Sequence, residues 1–389
     1  MLRIGSSKTT DTTTSAPAQG ARGVGYLPRR VRSARVAAAV AAVAGAAVVA
    51  APQASAAGPA PAVCVAFPST YEIAFQANTG TLWTTSFGGG PTPGTTTGTT
   101  NLGLGMWPGT SPSVTYIRLG SPGHQIAFQG SNGSLWTTGP LGTGDLRLGM
   151  MPGTSPSIAA LSGGGYQIAF QANTGQLWTV GSDGTTDLGV SMDPKSSPDI
   201  TPEPGGGYEV AYQDSTHSLA VAGTWSTASL HMAMWNGTSP SIVTPDGGGY
   251  QIAFEANTSA LWAAGALANG NLGFGMMPGT SPSITFPFST SFQIAFQANT
   301  GTLWVTGVLG TADTHLAMWG SNSPSIAGTA KMECSLGPNP IPLFRSDYFF
   351  SYVSPTDALS LGEADAGLAN AGSLGLGMWP GTTGAIASP

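Results

Sequence analysis

Apolar and polar positions alternate in short runs along most of this chain, and the runs predict strands. Between positions 155 and 192 four are expected: Ser155-Pro-Ser-Ile-Ala-Ala-Leu161, Tyr166-Gln-Ile-Ala-Phe-Gln171, Leu177-Trp-Thr-Val180 and Leu188-Gly-Val-Ser-Met192, with a turn at Gly163 to Gly165. Each has the length and period-two character of a strand. Tyr166, Ile168 and Phe170 share one face, and Gln167, Ala169 and Gln171 the other. Large side chains on one face and small ones on the other suit sheets that interdigitate with neighbours on both sides. The turn between the second and third strands is Asn-Thr-Gly at Asn78 to Gly80, Asn173 to Gly175 and Asn299 to Gly301. There Asn is expected to start the turn through its amide and Gly to take the positive φ of a short hairpin.

The same phrase returns down the chain, starting at Tyr71, His124, Tyr166, Tyr208, Tyr250 and Phe292, and the last four intervals are each 42 residues. A degenerate seventh copy starts at Tyr348-Phe-Phe-Ser-Tyr352, and Leu374 to Gly381 repeats Leu102 to Gly109 residue for residue. A period of 40 to 45 residues is the size of a four-stranded propeller blade. The fold class is therefore all-β, a single seven-bladed β-propeller over residues 57–389. Closing the ring protects strand edges that would otherwise template aggregation. Thr382-Thr-Gly-Ala-Ile386 echoes the Thr-Ser-Pro-Ser-Ile link and is expected to add a strand to the first blade, beside the strand-like segment Pro61 to Phe67. A Pro-rich insertion, Ala330 to Arg345, has no counterpart in the other units and is expected to cover or plug one end of the ring.

Residues 1–56 read as a secretory leader: a basic cluster of Arg29, Arg30, Arg32 and Arg35, an Ala/Val/Gly run from Val36 to Ala51, and a small-residue cleavage pattern at Ala54-Ser55-Ala56. The apolar run is too short for a membrane span, which needs roughly 20 residues. The expected location is extracellular, without membrane insertion. Removing the leader leaves five Lys or Arg against seventeen carboxylates, a net charge of −12. That balance excludes nucleic acid as a partner, because no basic stripe is available to release counterions from phosphate. Only 8% of residues are charged, so the surface offers mostly neutral hydrogen-bonding groups. Cys64 and Cys334 are the only cysteines. They fall in the first and last blades, neighbours in a closed ring, and are expected to pair as a disulfide.

The order Ser-Pro-Ser-Ile, then Gly-Tyr-Gln-Ile-Ala-Phe-Gln-Ala-Asn-Thr-Gly-x-Leu-Trp, then Leu-Gly-x-Gly-Met resembles the blade of bacterial seven-bladed propeller lectins related to the Photorhabdus fucose lectin. It is similar, too, to tachylectin-type repeats of secreted actinobacterial proteins. The resemblance implies carbohydrate binding at several quasi-equivalent pockets between blades. The Asn-x-Gly-x-x-Trp spacing also resembles the Asp-box of sialidases, which implies a structural turn and no chemistry.

Two classes of tryptophan are candidates for sugar stacking. Trp83, Trp136, Trp178, Trp262 and Trp304 follow Leu in mid-strand and are assigned to the core. Trp107, Trp235, Trp319 and Trp379 close the fourth strand, with Met151 and Met277 in their place in units two and five and Asp193 in unit three. For this second class, packing between blades and stacking on a sugar are equally open. Thr110, Ser111, Thr154, Ser155, Thr238, Ser239, Thr280 and Ser281 follow in the next turn and could meet sugar hydroxyls, or serve the turn alone. Gln76, Gln129, Gln171 and Gln297 need partners, which the next blade's backbone could supply.

Scattered His124, His217, His231 and His315 do not build a metal site, and no cofactor is expected. Catalysis is not expected either: Arg118, Arg147 and Arg345 are too few and scattered for a sialidase, and a glycosidase would need facing carboxylates, for which Asp214, Glu255 and Asp347 are the candidates. The expected function is a lectin acting multivalently on glycans or cell-wall polysaccharide. An interaction or adhesion scaffold without sugar sites is the alternative.

Overall fold

A computed structural model describes residues 70–88, 96–288, 291–334, 342–365 and 368–388. The expected leader, the segment Pro61 to Phe67 and the Cys64–Cys334 pairing lie outside the described residues. What is described is all-β: seven antiparallel four-stranded sheets. Six sheets are built from consecutive strands, as in the third blade, where Ser157–Ala160, Tyr166–Gln171, Gln176–Gly181 and Gly184–Ser191 succeed one another from hub to rim. Among the described residues no helix is long and apolar enough to cross a membrane.

The first blade is assembled from both ends of the repeat region. Its innermost strand is Ala385–Ala387, which pairs antiparallel with Thr70–Gln76 in the register Ala74↔Ala385, Ile73↔Ile386 and Glu72↔Ala387. The C-terminal segment thus closes the ring, as its echo of the Ser-Pro-Ser-Ile link predicts. The insertion in the seventh blade extends the inner hairpin, Ser325–Cys334 pairing with Pro342–Val353 from Ser325↔Ser351 to Cys334↔Pro342. The tip on which any plug would depend, residues 335–341, lies outside the described residues.

Each outer strand carries a bulge at one equivalent position. Gly103, Arg147, Gly189, His231, Gly273, His315 and Gly375 all have φ between 55° and 85°. Their backbone N–H groups are held by the side chain two residues earlier, for example Gly103 N–H to Asn101 Oδ1 at 2.8 Å and Arg147 N–H to Asp145 Oδ1 at 2.7 Å. The Asx geometry explains how Arg and His are tolerated where the other copies use Gly.

The two faces of a blade pack as their residue sizes require. Ile126 and Phe128 of the second blade enter a buried cluster with Ala74, Leu82 and Met106 of the first, and the same arrangement recurs around the ring. The Asn of the hairpin does not start its own turn as expected. Its amide is directed at the preceding blade, so that a Cβ on Gly149, Gly275 or Gly377 would lie 2.6 Å from Nδ2 of Asn173, Asn299 or Asn78. The second Gly of Leu-Gly-x-Gly is therefore a close-approach glycine. Gly149→Ala is expected to cost about 1–3 kcal/mol by overpacking, seen as a lower midpoint in urea unfolding with an unchanged slope.

Around the axis the inner strands are tied by serine hydroxyls. The N–H of Ser111 donates to Ser155 Oγ, Ser155 to Ser197, Ser197 to Ser239, Ser239 to Ser281 and Ser281 to Ser323, each at 2.8–2.9 Å. Thr383 completes the belt, donating its N–H to Ser111 Oγ and its hydroxyl to the Ser323 carbonyl. A second belt runs one step further along the strands, where the lone carboxylate Asp199 accepts from the N–H groups of Ile200 and Ile242 and the hydroxyls of Ser157 and Ser241. Burial pushes the Asp199 carboxyl above its ordinary value, with those hydrogen bonds pulling the other way.

Candidate functional site

Where the rim of one blade meets the next, the fold leaves a groove. Between the first and second blades its walls are Gly103, Leu104 and Gly105 of the outer strand and Phe128, Ser131, Asn132 and Trp136 of the next blade, around a cavity of about 270 Å³. Glycines on one wall expose flat backbone, and the indole edge and an amide form the other. Such a groove offers neutral hydrogen-bonding groups beside an apolar face.

Of the mid-strand tryptophans assigned to the core, Trp136 lines this groove, and the others stand at the equivalent place in their own blades. Trp83, Trp136, Trp178, Trp262 and Trp304 are half-buried and pack on the inter-blade clusters. What differs among them is the indole N–H. Trp83 donates to Thr81 Oγ1 at 3.0 Å, Trp304 to Thr302 Oγ1 at 3.1 Å, and Trp136 to Asn132 Oδ1 at 3.1 Å. Two residues before Trp178 and Trp262 stand Gln176 and Ala260, where the others have the hydroxyl residues Thr81, Ser134 and Thr302, and the Nε1 atoms of Trp178 and Trp262 find no partner in the protein. The outer strands preceding them carry Arg147 and His231 at the bulge, where the other five outer strands have Gly four times and His once. Reading the residue two before each Trp would have singled out this pair from the sequence.

The remaining grooves differ again. Between the fifth and sixth blades Phe274 fills the Leu104 position and packs on Trp304, ring centroids 6.1 Å apart. Ala220 and Ser360 replace the Trp in the fourth and seventh blades.

The other sequence-derived candidates fall at the crossing from rim to hub. Trp107 and Trp379 lie over the hairpin glycine of the following blade, their Cζ3 atoms 3.6 Å from where a Cβ on Gly133 or Gly80 would stand, and Met151 lies similarly over Gly175. In the third unit Asp193 takes the Trp place and His217 the Gly place, and the pair meets at 2.8 Å between Oδ2 and Nδ1. At these four blades the variable position is thus a contact with the next hairpin, apolar or polar as the partner demands. Trp235 lies near Gly279, and Trp319 is 41% exposed. Thr110, Thr154, Thr238 and Thr280 are 0–1% exposed, and each hydroxyl donates to the carbonyl three residues earlier. This differs from the expected ligand contact, because a hydroxyl closed inside its own turn has no path to a sugar. Ser111, Ser155, Ser239 and Ser281 stand in the hub belt and line the channel mouth, away from the rim grooves.

The repeated glutamines serve the same crossing. Gln76 donates from Nε2 to the Trp107 carbonyl at 3.0 Å and accepts from Gly109 N–H at 3.1 Å, fastening the turn that leads to the second blade. Gln129 and Gln213 repeat the pair of bonds. Glu255 stands at this position in the fifth blade, 0% exposed, accepting from Gly279 N–H through Oε2 while Oε1 has no partner. Burial lifts its carboxyl to about 7. Of the carboxylates considered for catalysis, Glu255 is enclosed in this latch. Asp214 is taken up by its own turn, accepting from Thr216 and Ser218, and the side chain of Asp347 lies outside the described residues.

No protein-family model matches the chain, and no curated protein matches it. Among solved structures it is similar to a triple arginine-to-alanine variant of AofleA from Arthrobotrys oligospora, with 13% identity, 70% of this chain and 88% of that one covered, and a TM-score of 0.51. It is similar also to the Aleuria aurantia lectin, described as a six-bladed propeller with a novel fucose recognition mode, with 13% identity, 68% and 96% covered, and a TM-score of 0.45. A third is the SapL1 lectin in complex with alpha methyl fucoside, with 11% identity, 71% and 98% covered, and a TM-score of 0.46. At these identities the likeness is one of fold.

Proposed function

We propose that this chain is a secreted carbohydrate-binding propeller that holds neutral sugars in its rim grooves and acts through several of them at once. The observation that carries the reading is the pair of half-buried indoles, Trp178 and Trp262, whose N–H groups lack an acceptor. A buried donor left unmade costs about 1–3 kcal/mol, and a sugar hydroxyl entering the groove would recover it while the pyranose packs on the indole. Sparse charge, flat glycine backbone and ring repetition support the same reading. Weak single sites gain avidity by ~10²-fold when several engage one surface. The reading is binding without turnover.

The test is a calorimetric titration with alpha methyl fucoside and other neutral methyl glycosides. Wild-type protein is expected to bind at more than one site, and Trp178→Phe with Trp262→Phe to lose two sites while melting no lower, since an unpaired donor has been removed. Unchanged stoichiometry in the double variant would remove these grooves from the site. A well-folded protein that binds no immobilised glycan would leave the interaction scaffold as the better reading.

A further inference from the structure

At the end of the channel opposite the Ser-Pro-Ser mouth, the inner strands of the second to fifth blades finish around an off-axis cavity of about 590 Å³. It is separate from the rim grooves. Its walls are apolar over Tyr116, Leu119 and Leu161, and Leu119 is 57% exposed there. Glu203 closes one side. That residue is only 3% exposed, and its Oε2 has no hydrogen-bond partner. Burial lifts the Glu203 carboxyl above its ordinary value, with the Gly249 N–H and Thr244 pulling it back in part. Glu209 lies close enough for the two carboxyls to repel, and Asp246 is exposed on the rim of the same cavity. Arg118, also in the lining, is already engaged with protein groups.

We infer that this cavity is a second binding site, taking a small molecule that carries a primary ammonium group on a compact apolar body. The ammonium donates to Glu203 Oε2, with Asp246 adding attraction at the entrance, and the apolar body lies against Leu119, Leu161 and Tyr116. A carboxylate withdrawn from water and short of a partner gains most from a cation that brings its own donors. A neutral sugar would leave the charge uncompensated. The seven-fold pattern of the rim does not produce this site, because Pro202-Glu203-Pro204 occurs in one blade alone.

Ligand-observed NMR in amine-free phosphate buffer tests the inference, with 2-phenylethylamine as the probe and 2-phenylethanol as its neutral counterpart. Saturable binding of the amine is expected, with the alcohol about tenfold weaker or more. Glu203→Gln should weaken the amine by about tenfold and leave the alcohol and alpha methyl fucoside unaffected. Asp246→Asn, at an exposed turn where folding is not at stake, should weaken the amine about twofold to threefold. Equal binding of amine and alcohol, no saturation by the amine, or wild-type amine affinity in both variants would each overturn it. Should Glu203→Gln fail to fold, Asp246→Asn decides.

Discussion

A chain ending at Thr382 is expected to lose the single cooperative melting transition of the full-length protein and to self-associate. The missing residues include Ala385–Ala387, the inner strand of the first blade. Ile386 is 7% exposed in the ring and donates its N–H to Ser325 Oγ, while Thr383 donates to Ser111. Burying an Ile side chain contributes about 2–3 kcal/mol, and the strand bonds about 1 kcal/mol each. Their loss, on the order of 5 kcal/mol, rivals the total stability of a typical domain. The edge of Thr70–Gln76 would then be unpaired and face solvent, and Ser325 Oγ would lose the Ile386 N–H. Differential scanning calorimetry with size-exclusion chromatography checks this; a truncated chain that melts like the full protein as a monomer would show that closure does not hold the ring. Ile386→Ala should fall between, costing about 2–4 kcal/mol.

The second large effect is expected from Glu255→Gln, which should stabilise the protein, and only above mildly acidic pH. The folded carboxyl is raised from 4.5 to about 7, so the native state prefers the protonated form. Its contribution is complete below pH 4.5, falls as pH rises to about 7, and is lost above. The span corresponds to about 3 kcal/mol. Protonated Glu255 can donate to the Met277 carbonyl as Gln76 does to Trp107, whereas the carboxylate cannot. Wild type and variant should therefore melt together at pH 4 and diverge by roughly 5 °C at pH 8. Circular dichroism melts across that range give the answer, and parallel curves at every pH would assign the unpaired Oε1 no energetic role. Glu203 and Glu209, also raised by burial, act in the same direction, so the stability of the Glu255→Gln variant should itself still decline as pH rises toward neutral.

Much of the architecture is written in local pattern. Tyr166–Gln171 emerges as a strand with the bounds that alternation predicts, and the neighbouring strands within a few residues of theirs. The candidate site was less legible. The Thr of each Gly-Thr-Ser-Pro segment looked available because hydroxyls at turns usually face water, yet here each caps its own turn beneath the next blade. Trp178 and Trp262 looked like core because they share a phrase with Trp83, and what sets them apart is a hydroxyl residue missing two positions upstream.

Repetition of a 42-residue pattern, with large and small residues on opposite strand faces, is enough to specify blades, their number and the completing strand at the C-terminus. These are consequences of periodicity, and periodicity is a property of the chain alone. Which face of a blade meets which, that Asn173 presses on Gly149 in the preceding blade, that Glu255 sits in a latch built for an amide, and that Glu203 is sealed beside a cavity shared by four blades were decided only when the ring closed. Each depends on partners roughly 20 to 60 residues away or more, brought together by packing that no single unit encodes.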